Sequence, residues 1–222
     1  GIKKMTIPII YEDDNIVIFN KPYNLEVTGE NSLTSIMKEN YTFLEPCHRI
    51  DRNTLGLVLF AKNSESLSIL LNKFKRNEIE KHYVACVYGN ILKRKDTIYS
   101  YLFKDNKKAL VYISETKKKG YVPIKTSYTV LKENKEKKVS LLDVTLHTGR
   151  THQIRAQLAH IGLPIIGDGK YGSYEINKRF NVSTQLLCSY KLKFDFKSDS
   201  GILNYLSSVQ ISLRDLPFEN II

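Results

Sequence analysis

The chain reads as an α+β protein, and three observations lead there. Short β-rich runs outnumber helical stretches, the two do not alternate regularly, and no repeat, low-complexity tract or Pro- or Ser-rich linker divides the 222 residues. Regular alternation is what a doubly wound parallel sheet requires, so that class is disfavoured. A chain of this length buries a substantial core, as one large domain or as two lobes.

Taken in order, Ile7 to Tyr11 and Ile16 to Phe19 are strand-like and turn at Asp13-Asp14-Asn15. Ser32 to Glu39 is a helical candidate. Asn53 and Gly56 are turn formers, and the run Leu57 to Ala61 has the length and the β-branched and aromatic content of a buried strand. A second helix is expected from Ser64 to Arg76, followed by strands at Tyr83 to Tyr88, Ala109 to Ile113, Tyr128 to Lys132 and Val139 to Leu146. If Lys81 to Val87 is extended, alternation puts Lys81, Tyr83, Ala85 and Val87 on one face. Thr151 can cap a third helix running to Ile161, in which Ile154, Leu158 and Ile161 recur at i, i+4 and i+7 and Gly162 with Pro164 stops the run. Leu187 to Phe194 is the last expected strand.

Two segments carry chemistry. His48-Arg49-Ile50-Asp51-Arg52 places one carboxylate between two guanidinium groups on a loop entering a sheet. Cations on both sides keep Asp51 ionised, which suits a nucleophile or anionic stabiliser and not a proton donor. The segment alone leaves two readings open: a reactive carboxylate on a loop, or a surface ion pair that organises a turn. In the second segment Thr151, His152 and Arg155 fall near a helix start, where unpaired N–H groups and the guanidinium groups of Arg150 and Arg155 make an anion site. It suits a phosphate, or a carboxylate such as Asp51. A buried Arg155 requires a carboxylate partner.

Together these segments resemble those of the RluA-type pseudouridine synthases. His48 to Leu57 is similar to the H-R-L-D-x-x-T-S-G-L signature, and Thr148-Gly149-Arg150-Thr151-His152-Gln153-Ile154-Arg155 to T-G-R-T-H-Q-I-R. Further pieces follow in the family's order: Ile9 to Pro22, Lys81 to Gly89, Pro164 to Gly172 and Leu187 to Phe194. Departures are Ile50 for leucine, Asn53 for a common aspartate and Leu55 for the usual serine. The resemblance implies a pseudouridine synthase fold, a mixed, mostly antiparallel sheet in two halves with the active cleft between them, formed by residues 1–222 as a single catalytic domain. It implies isomerisation of uridine to pseudouridine in ribosomal or transfer RNA, with Asp51 as the essential aspartate, Tyr83 as the active-site tyrosine and Arg155 as the arginine that pairs with the aspartate. Arg49 falls on the residue that fills the space left by a displaced base. His48, Arg52, Thr54 and Gly56 around Asp51, and Arg150, Thr151, His152 and Gln153 around Arg155, are expected to bind substrate.

Composition agrees with an RNA partner. The formal net charge is +11, although an excess of Lys, Asn and Ile also follows from an AT-rich genome. The densest basic region, Lys93 to Lys138, interleaves its charges with Tyr99, Tyr101, Phe103, Tyr112 and Tyr121. It reads equally as a groove that tracks RNA or as a solvated insertion. The three cysteines, Cys47, Cys86 and Cys188, form neither a disulfide framework nor a CxxC pair, which points to a reducing compartment. The histidines show no metal-ligand spacing, and Gly167 to Gly172 is glycine-rich without matching a P-loop, so neither metal nor cofactor is expected. Asp168 in that stretch ranks well below Asp51. With no signal-peptide pattern and no run of about 20 apolar residues, a soluble, cytoplasmic monomer is expected. No S4-type RNA-binding domain is visible. Two other classes stay in view: an RNA-binding module on the same scaffold without turnover, and a carboxylate-dependent hydrolase, for which no second carboxylate is apparent.

Overall fold

The computed structural model describes residues 6–222. The first hairpin pairs β1 (Ile9–Glu12) antiparallel with β2 (Ile16–Lys21), and the Asp13 carboxylate accepts the Asn15 and Ile16 N–H groups to close its turn. Ser32 caps α1 (Leu33–Met37) in a reciprocal capping box with Ser35. β3 (Glu45–Pro46) and β4 (Leu55–Ala61) flank the Asp51 loop, and α2 (Ser64–Lys75) starts where Asn63 accepts the Ser66 N–H. β5 (Ile79–Tyr88) begins ahead of the expected Tyr83. β6 (Lys95–Asp105) has no counterpart among the expected strands; β7 (Leu110–Ser114) and β8 (Val122–Asn134) follow, and β9 (Val139–Leu146) has the expected bounds.

α3 (Gln153–His160) is shorter than expected at both ends. Thr151 does not cap it: the N-cap is His152, in the left-handed region at φ 54° and without a side-chain cap. Ile161, placed in the apolar stripe, is the C-cap and is 37% exposed. α4 (Tyr174–Phe180), which buries no residue, was not among the expected helices. β10 (Leu187–Phe194) has the expected bounds, and β11 (Gln210–Ser212) is new.

The described residues divide into two compact units, the first made of residues 6–81 with 188–215 and the second of residues 82–187 with 216–222. In the first unit β1, β2, β4 and β10 are neighbours in that order, with β3 on β4 and β11 on β10. The β4–β10 pairing is parallel and the others are antiparallel. β2 and β4 read as continuous apolar runs because both faces are covered: Ile16, Ile18, Leu57 and Leu59 are fully buried with Leu70 of α2 and Leu192 of β10. Each such side chain contributes about 1.5–3 kcal/mol.

In the second unit the order is β5, β9, β8, β6, β7, and β9–β8, β8–β6 and β6–β7 are antiparallel. α3 lies against one face of these strands, where Ala156 joins Leu102, Val111 and Ile124 in a small core. Gln157, fully buried on the same helix, donates to the Ile98 carbonyl and the Ser100 hydroxyl and accepts from Thr126. A buried amide is tolerated here because its partners are supplied by two strands.

Candidate active site

In the first unit Asp51 opens a turn that ends at the start of β4, closed by the Thr54 N–H on the Asp51 carbonyl at 3.0 Å. The segment after β2 straps this turn. Arg52 Nε donates to Asn24 Oδ1 at 2.9 Å, the Asn24 N–H donates to Asn53 Oδ1 at 3.0 Å, and Asn24 adopts φ 59° to do both. Beneath the strap lies Lys21, fully buried, whose Nζ donates to the Pro22 and Arg52 carbonyls, each at 2.8 Å. Burial pushes the Lys21 ammonium down to about 8, and the charges of Glu26 and Asp51 oppose that. Asp51 itself is half-buried, Arg49 and Arg52 are exposed, and Thr54 is buried.

Gly56 has a geometric role. It sits at φ +116° opposite Ser189 of the parallel β10, where an added Cβ would lie 2.0 Å from the Ser189 carbonyl oxygen. No other residue fits between the strands, so Gly56 positions the loop through the sheet. His48 also has a structural role. Its Nε2 accepts the Leu59 N–H at 2.9 Å, and its ring stacks on Phe74 with centroids 4.8 Å apart. Burial, with the Lys81 charge second, pushes its imidazole down to about 3. The proton therefore sits on Nδ1, which is buried without a partner among the described residues. His48 extends the edge of β4 toward Asp51, turned inward.

In the second unit Arg155 is 7% exposed and makes a bidentate pair with Asp168, Nε to Oδ2 at 2.6 Å and Nη2 to Oδ1 at 3.1 Å. Its guanidinium also lies 5.2 Å from the Tyr171 ring centre. Asp168 further accepts the Lys170 and Tyr171 N–H groups. Burial pushes the Asp168 carboxyl up, but the hydrogen bonds and charge of Arg155 and the two N–H groups outweigh it and hold the group below its usual range. The carboxylate that a buried Arg155 requires is present, from a residue that the sequence ranked low. Gly167 makes the loop possible, since at φ +89° an added Cβ would lie 2.0 Å from the Thr184 carbonyl oxygen. The Tyr171 hydroxyl accepts the Val111 N–H at 2.9 Å and lies 2.8 Å from His152 Nδ1, which ties this loop to β7 and to the start of α3.

Gln153, expected to bind substrate, is 2% exposed and is a structural bridge. Its Oε1 accepts the Arg150 N–H and the Thr148 hydroxyl, and its Nε2 donates to the Lys125 carbonyl and the Thr126 hydroxyl. Arg150 is exposed at the turn, while Thr151 and His152 are half-buried. Tyr83 on β5 is 5% exposed. Its neighbour His82 places Nδ1 2.8 Å from Asp143 Oδ1, so the two side chains leave the strand on opposite faces. The structure thus groups Asp51 with Lys21, Asn24 and Arg52 in one unit, and Arg155 with Asp168, Tyr171 and His152 in the other. Sequence reasoning missed the roles of Lys21, Asp168 and Tyr171, and the available signals were a lysine ending an apolar strand before Pro22 and the Gly-Asp-Gly-Lys-Tyr-Gly run. Among the described residues no group of three or more His, Cys, Asp or Glu side chains is placed to hold a metal.

Residues 15–160 match the family described as RNA pseudouridylate synthase. The chain is 34% identical over 202 residues to ribosomal large subunit pseudouridine synthase C of Buchnera aphidicola subsp. Baizongia pistaciae, covering 84% of this chain and 62% of that protein. It is 32% identical over 212 residues to ribosomal large subunit pseudouridine synthase D of Borreliella burgdorferi, covering 87% and 63%. Across the first four curated relatives it matches, the chain spans 55–66% of their length. Among solved structures, human RNA pseudouridylate synthase domain containing 1 superposes with a TM-score of 0.78 at 20% identity, covering 96% of this chain and 85% of that one.

Proposed function

Because the chain belongs to the RNA pseudouridylate synthase family and has the pseudouridine synthase fold, we propose that it isomerises specific uridines to pseudouridine in ribosomal or transfer RNA. The observation that carries this is the extent of the family match: residues 15–160 include Asp51, Tyr83 and Arg155.

The reaction breaks the C1′–N1 bond, turns the base, forms C1′–C5 and moves the C5 proton, with no redox change and no energy input. Asp51 supplies the anion, either as covalent nucleophile or by assisting proton removal at the sugar, and both uses need the ionised carboxylate. Lys21 supports that form with a buried cation whose charge couples to Asp51. Tyr83 offers a buried ring for the base to stack on, and Arg155 supplies a guanidinium fixed by Asp168. A stacked uridine reaches such groups only when flipped out, at a cost of a few kcal/mol, and the exposed Arg49 offsets part of it by filling the vacated space. Arg52 and Arg150, exposed on the two turns, take phosphates.

We further place residues 1–222 as one catalytic domain, working as a monomer without metal or cofactor. No helix among the described residues is long and apolar enough to cross a membrane. The free, buried thiols of Cys47, Cys86 and Cys188 support a cytoplasmic location.

The test is to incubate the protein with unmodified ribosomal and transfer RNA and map pseudouridine. The wild type forms it at discrete positions, and Asp51→Asn lowers formation to background while RNA binding persists. Binding without product from the wild type would refute the enzyme reading.

A further inference from the structure

Antiparallel strands with one solvated face ordinarily turn polar residues out and apolar residues in. β6 departs from this by turning aromatic rings out. Tyr99, Tyr101 and Phe103 share its outer face, with Tyr99 69% and Phe103 37% exposed, while Ser100 and Leu102 between them are buried. Phe103 stands opposite Tyr112 of β7, which is 40% exposed, and Tyr99 stands opposite Lys125 of β8. The Phe103 and Tyr112 rings are stacked at 6.4 Å between centroids, and Tyr121 lies against Phe103 on the other side at 5.5 Å. Gly120, at φ +83°, makes the turn that brings Tyr121 there.

Charge accompanies the rings. Lys125 Nζ lies 5.6 Å from the Tyr99 ring centre, and Lys118 Nζ lies 5.9 Å from that of Tyr121. Residues 95–125 carry eight lysines against three carboxylates, Asp96, Asp105 and Glu115, so this segment holds +5 of the chain's +11. Its large exposed side chains are rings and not aliphatic chains. Rings about 7 Å apart along a strand, edged by ammonium groups, are what a single-stranded nucleic acid needs: stacking for bases and cations for phosphates.

We propose that the outer face of β6, β7 and β8 is a docking platform for single-stranded RNA that flanks the target nucleotide; this rests on the RNA reading above. The platform does not hold the target uridine. Asp143 shares the face through its pairing with Thr129, and Thr129 through its pairing with Lys95. His82 reaches Asp143 from that side, so Tyr83 leaves β5 on the reverse face. His147, at 2.8 Å from the platform residue Ser127, leads directly into the Thr148–Thr151 turn that carries the exposed Arg150.

The test uses the full chain and a labelled oligoadenylate, which offers no uridine. Tyr99→Ala and Phe103→Ala each weaken its binding about tenfold, whereas Tyr99→Phe does not. Lys118→Ala with Lys125→Ala lowers the salt slope by about 1. On a uridine-containing RNA that the wild type modifies, the ring variants raise KM and leave kcat unchanged. Wild-type oligoadenylate affinity in the ring variants would overturn the platform, as would a wild-type dimer that Tyr99→Ala and Phe103→Ala dissolve. Ring-dependent oligoadenylate binding by a protein that modifies no RNA would support the platform and refute the isomerase reading.

Discussion

The Asp51 turn and the Arg155 loop hold their key side chains by opposite means. Around Asp51 the fixing contacts are backbone carbonyls, exposed amides and a buried lysine pushed down to about 8. Around Arg155 they are a bidentate ion pair, two N–H groups and a ring, and neither partner changes charge between the carboxylate range and strongly alkaline pH. The first arrangement can be loosened by a proton. The second is broken only by removing an atom.

The largest effect expected from that contrast is Asp168→Ala. It strands Arg155 in a buried position without its bidentate partner, for a destabilisation of about 3–5 kcal/mol in urea unfolding. Asp168→Asn keeps the shape and one acceptor but loses the charge and the second acceptor, and it is expected to fold and to lower turnover more than RNA affinity. Near-normal stability of Asp168→Ala would show that the loop is not locked by charge.

Acid should loosen the first unit well before the second. The folded imidazole of His48 titrates near 3 and an ordinary one near 6.5, so the unfolded chain binds the extra proton between those values. Stability from His48 is complete above pH 6.5 and is lost as pH falls toward 3, by about 2 kcal/mol between pH 6.5 and 5. His48→Gln keeps an acceptor for the Leu59 N–H and removes the titration. Its urea midpoint should stay flat over that interval while the wild type falls.

Lys21 makes the alkaline side informative. Its folded value lies below the ordinary 10.5, so this group favours folding more as pH rises from about 8 to 10.5. The same rise removes the ammonium that couples to Asp51. Turnover should therefore drop above about pH 8 while stability does not. Lys21→Met is expected to lower turnover about tenfold at neutral pH and to lack the alkaline limb. A wild-type profile flat to pH 10 would remove Lys21 from the mechanism.

These two regions also show what the sequence makes legible. β2 and β4 are readable because apolar runs covered on both faces leave no competing pattern, and β9 and β10 because their Val, Leu and Phe residues still dominate. β6 escaped because its rings face solvent while its inward face mixes Ser100 with Leu102, so apolar residues fall on both faces and no alternation shows. α4 escaped because it buries nothing, although Ser173 and Asn181 mark its ends. At the site, local motifs single out Asp51 and Arg155, but the partners that hold them are distant along the chain. Arg52 meets Asn24 and Lys21 across 28 and 31 positions, and Arg155 meets Asp168 across 13. Spacing does not reveal such pairs. The structural roles of inward-turned His48 and Gln153 were hidden for a related reason: a polar residue in a reactive-looking motif can have its donors and acceptors taken by nearby strands.

The smallest expected effect sharpens the comparison at the rim of the Asp51 turn. Asn24 contributes both a left-handed backbone, at φ 59°, and a side-chain acceptor for Arg52. Asn24→Gly keeps the backbone and removes the acceptor. Because both partners are exposed, water replaces the lost contact and stability should change by less than about 1 kcal/mol. Asn24→Ala removes the same acceptor and adds the left-handed cost of about 1–2 kcal/mol. If the strap works through its backbone, the glycine variant keeps near-normal turnover and the alanine variant loses several-fold. Equal losses in both would assign the strap to the Arg52 contact, making that guanidinium a positioned group instead of a free phosphate ligand.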